Sequence, residues 1–219
     1  MNHISRFTQF FLHHLYRELA WFYDSVAYLV SFGRWQTWIS SVLPFIKGPN
    51  VLETGFGPGH LLNLLNNQRY FVFGLDESHQ MAQLAKKRWS KQQENNSKLP
   101  NITIGKTQNL PYPDNFFDTV VATFPTAYIY QPDTIEEFFR VLKPGASLIA
   151  LLSAEIQRPD VLSKITGSLY TITGQSSMNI HPLIDIYSFY QFDLQIAWID
   201  VPSGKAYIMK AKKRLPFGR

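Results

Sequence analysis

The chain has 219 residues, of which 45% are hydrophobic and 15% aromatic, enough for one globular domain with a sizeable core rather than two independent ones. It contains no cysteine, which excludes a disulfide framework, a thiolate metal site and a cysteine nucleophile, and suits a reducing compartment. The formal charge of +5 is concentrated in Lys86, Lys87, Arg88 and Lys91 and in Lys210, Lys212, Lys213 and Arg214, which read either as solvated surface or as a site for a polyanion.

Residues 1 to about 46 carry Phe7, Phe10, Phe11, Leu15, Leu19 and Phe22, then Val26, Leu29 and Val30, then Trp35, Trp38, Ile39 and Val42, at spacings of three and four. This pattern predicts two or three amphipathic helices ahead of the first strand, forming a lid. Asp24 and Arg34 interrupt the apolar runs, so neither a signal peptide nor a membrane span is expected, and the default location is cytoplasmic.

"NVLETGFGPGHLLNLL" (50–65) then places Gly55, Gly57 and Gly59 between a buried run and a helical leucine pattern. A glycine turn from strand to helix lets a ligand approach the bare main chain while the first helical amides point at it. "YFVFGLD" (70–76) is a second strand ending on an acid, followed by a helix capped at Ser78 and a polar loop at 94–100. "NITIG" (101–105), "FDTVVATF" (117–124) and "ASLIALLS" (146–153) are further strands, and "PDTIEEFFRVLKPG" (132–145) is a helix stopped by Pro-Gly. Strand and helix alternate, which predicts a parallel doubly wound sheet. Residues 154–190 read as an irregular, mostly helical insertion, and "FDLQIAWIDVP" and "KAYIMKAKK" close the chain as a hairpin with a basic tail over 191–219.

The glycine spacing departs from the nicotinamide fingerprint, because the third glycine falls one place early and His60 stands where that fingerprint requires glycine. Glu53 ends the first strand and Asp76 the second. A carboxylate at such a strand tip is placed to accept ribose hydroxyls, and Asp76 equally reads as a cap for the helix near Ser78. The six histidines show no metal-ligand spacing, so no metal site is expected.

"VLETGFGPGHLL" resembles motif I of class I S-adenosylmethionine-dependent methyltransferases, and "FGLDES" their ribose-binding strand end. "GKTQNLPYPDNFFDTVVATF" is similar to the stretch that holds the adenine and enters strand four, and "EEFFRVLKPGASLI" to the family's helix, Lys-Pro-Gly turn and strand five. These motifs run from about 50 to 153, and their phrasing most resembles the ubiquinone, menaquinone and small-molecule enzymes. The resemblance implies an α/β, Rossmann-like, doubly wound and mostly parallel seven-stranded sheet, with a C-terminal antiparallel hairpin and extra N-terminal helices. The chain is then one domain: a helical lid (1–46), a cofactor core (47–153), a substrate-side insertion (154–190) and the closing hairpin (191–219).

It further implies that S-adenosylmethionine binds and S-adenosylhomocysteine is the product. Gly55, Gly57 and Gly59, with Phe56, would line the methionine and ribose side. Glu53 would serve the methionine amine directly or through water, Asp76 the ribose hydroxyls, and Glu77 the ribose or adenine. Where relatives place an acid and a small residue to read the adenine, this chain has Lys106 and Thr107, so Thr107, Gln108 or main chain must serve, with Phe124 at the end of strand four. Tyr23, Tyr128 and His181 are candidates on the substrate side, alongside Tyr130, and no catalytic base is assigned. The aromatic lid and insertion read either as core or as a pocket for a small aromatic or lipid-like acceptor, with peripheral membrane contact open to the N-terminal helix. The alternatives are a nucleic-acid methyltransferase, disfavoured because "FPTAY" (124–128) lacks a polar first residue and no nucleic-acid module is visible, and a non-catalytic cofactor-binding scaffold. The oligomeric state does not follow from the sequence.

Overall fold

In a computed structural model of the protein, the described residues are 34–68, 70–91, 101–155, 181–202 and 204–215. The parallel strands are β1 (Asn50–Thr54), β2 (Phe71–Asp76), β3 (Asn101–Ile104), β4 (Phe117–Thr123) and β5 (Leu142–Glu155), and the closing hairpin is β6 (Phe192–Val201) and β7 (Gly204–Lys213). The helices described are α1 (Trp35–Ser40), α2 (His60–Asn67), α3 (His79–Lys91), α4 (Pro132–Val141) and α5 (His181–Phe189), with short 3-10 turns at Leu43–Phe45 and Ala127–Tyr130. All seven strands form one sheet in the order β3-β2-β1-β4-β5-β7-β6. The first five run parallel, and β7 enters antiparallel between β5 and β6. The architecture is the one expected from the alternation of strand and helix.

The strand order reverses at β1, so the carboxyl ends of β1 and β4 flank the crevice where open α/β sheets bind ligands. Two cores sandwich the sheet. One face buries Leu52, Val120, Phe138, Leu148, Tyr187 and Met209, and the other buries Trp38, Val51, Leu61, Leu62, Val121 and Ile149. Adjacent residues such as Leu52 and Val51 point to opposite cores, which is why these strands read as continuous apolar runs.

The Lys-Pro-Gly turn differs from expectation. The helix stops at Val141, and Leu142 already pairs with Phe117 in the sheet. The register then shifts, so that Ser147 is the next residue paired, opposite Thr119, and Lys143 to Ala146 bulge out opposite Asp118. Gly145 takes φ +78 within the bulge, and Lys143 Nζ bonds Asp118 Oδ1 at 2.7 Å. Burial of Leu142 therefore ends the helix before Pro144 can. The strand is correspondingly longer than the expected 146–153. Of the expected N-terminal helices, α1 falls within the described residues, while Tyr23 and the stretch from Phe7 to Val30 lie outside them. Of the insertion, α5 is described.

Candidate functional site

The chain leaves β1 through a turn whose hydrogen bonds reach the neighbouring strand. Gly55 N–H donates to the Leu75 carbonyl at 2.7 Å, and Gly57 N–H donates to Asp76 Oδ2 at 2.8 Å. Asp76 Oδ1 accepts from Ser78 N–H at 2.8 Å, and the Asp76 carbonyl accepts from Gly105 N–H at 3.0 Å. One residue thus ties together the glycine turn, the start of α3 and the end of β3. The helix cap itself is Ser78, whose Oγ accepts from Met81 N–H at 3.3 Å. Burial pushes the Asp76 carboxyl upward, while the Ser78 and Gly57 amides pull it back. Each carboxylate oxygen accepts one protein hydrogen bond and retains capacity for another.

The three glycines play different parts. All have positive φ: +64 at Gly55, +54 at Gly57 and +80 at Gly59. A Cβ on Gly55 would come 3.2 Å from the Tyr128 hydroxyl, and one on Gly59 would stand 2.8 Å from Ala85 Cβ. Gly59 is therefore required where α2 packs on α3. Gly57 is buried, yet among the described residues a Cβ built on it meets nothing within 4 Å beyond its chain neighbours. The one bare backbone position with room beside it is the middle glycine. Phe56 turns its ring into the core, 3% exposed, and a Cβ on Gly74 would lie 2.9 Å from that ring. Any contact of Phe56 with a ligand is through its main chain.

Glu53 lies beneath this turn, 1% exposed, with Oε2 lacking any hydrogen-bond partner among the described residues. Burial raises its carboxyl well above the usual range, the Asp76 charge adds to this, and the Leu62 amide opposes it. The adjacent Thr54 Oγ1 is likewise buried without a partner among the described residues. Buried polar groups in folded proteins are nearly always satisfied, so two such oxygens at one strand tip make it a candidate ligand site.

On the β4 side, Phe124 has φ +49, a conformation bulky residues rarely adopt and one that clusters at functional sites. Its N–H donates to the Leu151 carbonyl at 2.8 Å, and its ring stacks on Trp35 with centroids 4.7 Å apart at 23°. Trp38 meets it edge-on at 6.4 Å. Trp35 reads from the sequence only as part of an amphipathic stripe. Tyr128 O–H donates to the Thr54 carbonyl at 3.2 Å, which brings this substrate-side candidate against the glycine turn. On the β3 side, Thr107 is 7% exposed, Gln108 Nε2 donates to Gln131 Oε1, and Lys106 and Glu77 are exposed. His181 opens α5, and its side chain falls outside the described residues, as does Tyr23. Among the described residues no group of three or more acids and histidines is placed to hold a metal.

A second network, absent from the sequence reading, holds the Leu-Pro-Tyr-Pro loop. Arg140 Nη2 and Nη1 donate to the Leu110 carbonyl at 2.8 Å and the Tyr112 carbonyl at 2.7 Å. Glu137 accepts from Arg140 Nε at 2.7 Å and from Leu110 N–H. The Arg140 hydrogen bond holds the Glu137 carboxyl below its ordinary value.

Residues 52–150 match the family described as "Methyltransferase domain". That stretch, from β1 into β5, is similar to a methyltransferase domain. It is 29% identical over 149 residues to a demethylmenaquinone methyltransferase of Symbiobacterium thermophilum, covering 64% of this chain and 58% of that one. It is 33% identical over 104 residues to a phosphatidylethanolamine N-methyltransferase of Cereibacter sphaeroides, covering 47% of this chain and 50% of that one. The chain spans 58%, 62% and 63% of the length of three demethylmenaquinone methyltransferases that it matches. A solved structure of a candidate S-adenosylmethionine-dependent methyltransferase from Methanococcus maripaludis superposes with a TM-score of 0.68 at 16% identity, covering 93% of this chain and 95% of that one. At that identity the match attests the fold. Among the described residues no helix is long and apolar enough to cross a membrane.

Proposed function

We propose that the protein transfers a methyl group from S-adenosylmethionine to a small acceptor of aromatic or lipid-like character. The observation that carries this reading is the room beside Gly57, whose N–H bonds Asp76, together with a buried Glu53 at the end of β1 that has one oxygen unpartnered among the described residues. It has the chemistry the cofactor needs: bare backbone for close approach, an acid for the methionine amine, and a second acid for the ribose hydroxyls. Glu53 and Asp76 would hold those groups, and Thr107 and Gln108 border the adenine side. When bound, the cofactor supplies an already activated methyl group on sulfur. What the chain must then do is align an acceptor and exclude water. Trp35, Phe124 and Tyr128, which gather at the ends of β1 and β4, supply an aromatic wall for that purpose. The acceptors in the names of the two relatives, a demethylated menaquinone and phosphatidylethanolamine, are both lipid-like and support this class.

Titration calorimetry with S-adenosylmethionine, S-adenosylhomocysteine and NAD tests the cofactor, and a methyl-transfer screen over phenols, quinols, amines, lipids and RNA tests the acceptor. The two sulfur compounds are expected to bind and NAD to give no heat. Transfer confined to RNA would overturn the small-acceptor reading, and NAD binding without either sulfur compound would overturn the whole.

A further inference from the structure

Glu53 and Asp76 form a pair of buried carboxyls treated unequally by the fold. Asp76 is 9% exposed and accepts amide hydrogen bonds on both oxygens, from Gly57 and Ser78. Glu53 is 1% exposed, and among the described residues neither one of its oxygens nor the hydroxyl of its strand neighbour Thr54 has a partner. Two anions in one buried site repel, and the fold gives Asp76 two amide donors where Glu53 has that of Leu62. Among the described residues the charge that acts on Glu53 is that of Asp76, at the end of the neighbouring strand β2. The guanidinium of Arg88 donates to the Pro58 carbonyl, and the hydroxyl of Tyr128 donates to the Thr54 carbonyl.

Resting on the cofactor reading above, we infer that capture of the cofactor is an exchange at Glu53: the carboxyl gives up its proton to solvent as it takes the cationic amine of the methionine arm. The balance is simple. One O–H bond of the Glu53 carboxyl breaks, the proton goes to buffer, and the resulting carboxylate pairs with the ammonium group; nothing is oxidised or reduced. Asp76 keeps its two amide hydrogen bonds, from Gly57 and Ser78, throughout. The orphaned oxygen of the free protein thereby gains its partner. The direction in which burial moves the Glu53 carboxyl agrees with this assignment.

Titration calorimetry of the full chain with S-adenosylhomocysteine in buffers of different ionisation enthalpy, between about pH 6 and 8, counts the protons. Release of up to about one proton per site is expected for wild type, with affinity rising by up to about tenfold per pH unit where Glu53 starts protonated. 5′-Methylthioadenosine, which lacks the amino-acid arm, should bind without release. Glu53→Gln should bind S-adenosylhomocysteine without release and with affinity flat in pH. Buffer-independent heats for wild type across the range would overturn the inference, as would undiminished release in Glu53→Gln. Should that variant not bind, a flat pH profile of wild-type affinity overturns the inference and a rising one supports it. No heat from either ligand overturns the cofactor reading and this inference with it, whereas binding without proton exchange overturns the inference alone.

Discussion

Gly57 and Gly59 sit two residues apart in the same turn, and replacing each with alanine should separate ligand space from packing space. At Gly57 the added Cβ meets no other residue within 4 Å, so the cost to folding is that of placing an L-residue at φ +54, about 1–2 kcal/mol. For a domain of this size that lowers Tm by roughly 2–8 °C. At Gly59 the same backbone cost applies at φ +80, and the Cβ also stands 2.8 Å from Ala85 Cβ and 3.2 Å from Ala85 Cα, atoms that cannot swing aside. Overpacking of that kind adds about 1–3 kcal/mol. Binding should show the opposite order. Gly57→Ala places a methyl group in the space assigned to the cofactor, and should weaken S-adenosylhomocysteine by roughly 10- to 100-fold, about 1.4–2.8 kcal/mol. Gly59→Ala should bind with near wild-type affinity per folded molecule. The assays are a thermal unfolding curve and a calorimetric titration on each variant. A Gly57→Ala protein that binds as wild type does would refute the placement of the cofactor, and a Gly59→Ala protein as stable as wild type would refute the packing argument.

Asp76→Ala removes the acceptor for Gly57 and Ser78 as well as the proposed ribose contact, so it should weaken cofactor binding by about 1–3 kcal/mol, read by titration. It should also destabilise the cofactor-free protein, which a role as ligand contact alone would not produce. Arg140→Leu withdraws the donors to the Leu110 and Tyr112 carbonyls. Its side chain is 32% exposed, so solvent replaces part of what is lost, and a loss of about 1–2 kcal/mol in denaturant unfolding is expected. An unchanged midpoint would show that the loop holds itself. Glu53→Gln should alter the pH dependence of stability in the cofactor-free protein. The folded value of Glu53 is raised above its ordinary 4.5, so its contribution is fully present below 4.5 and is lost as pH rises through the folded value. The variant should therefore gain on wild type with rising pH. A Tm difference that does not change from about pH 4 to 8 would contradict this.

Strand and helix order was legible because β1, β2, β4 and β5 are buried on both faces and therefore continuously apolar, a signal that needs no knowledge of the partner strand. Where the structure departs from the pattern, the deciding contact is distant in sequence. Helix α4 ends at Val141 because Leu142 has Phe117 to pair with, and nothing within the sequence "FRVLKPG" carries that information. Gly59 looks like Gly57 until Ala85, a residue of the next helix, is placed against it. Glu53 is identifiable as an acid on a strand, but its missing partner is a property of the assembled site. The left-handed conformation of Phe124 is similarly fixed from outside, by Trp35, Trp38 and the Leu151 carbonyl.

The phrases "LPYPDNFF" and "EEFFRVLKPG" suggested chemistry from the sequence, and the structure shows that they fasten to each other. Arg140 and Glu137 of the second grip the main chain at Leu110 and Tyr112 of the first, while Lys143 bonds Asp118 just beyond it. The conformational freedom of a proline-bracketed loop is removed by a bidentate guanidinium whose own carboxylate partner comes from one turn earlier on the same helix. The loop held this way begins three residues after Thr107, which the proposed function puts on the adenine side. On that reading the clamp would fix one wall of the cofactor space from a distance. Its loss should appear first in stability and only secondarily in affinity, the reverse of the order expected at Gly57.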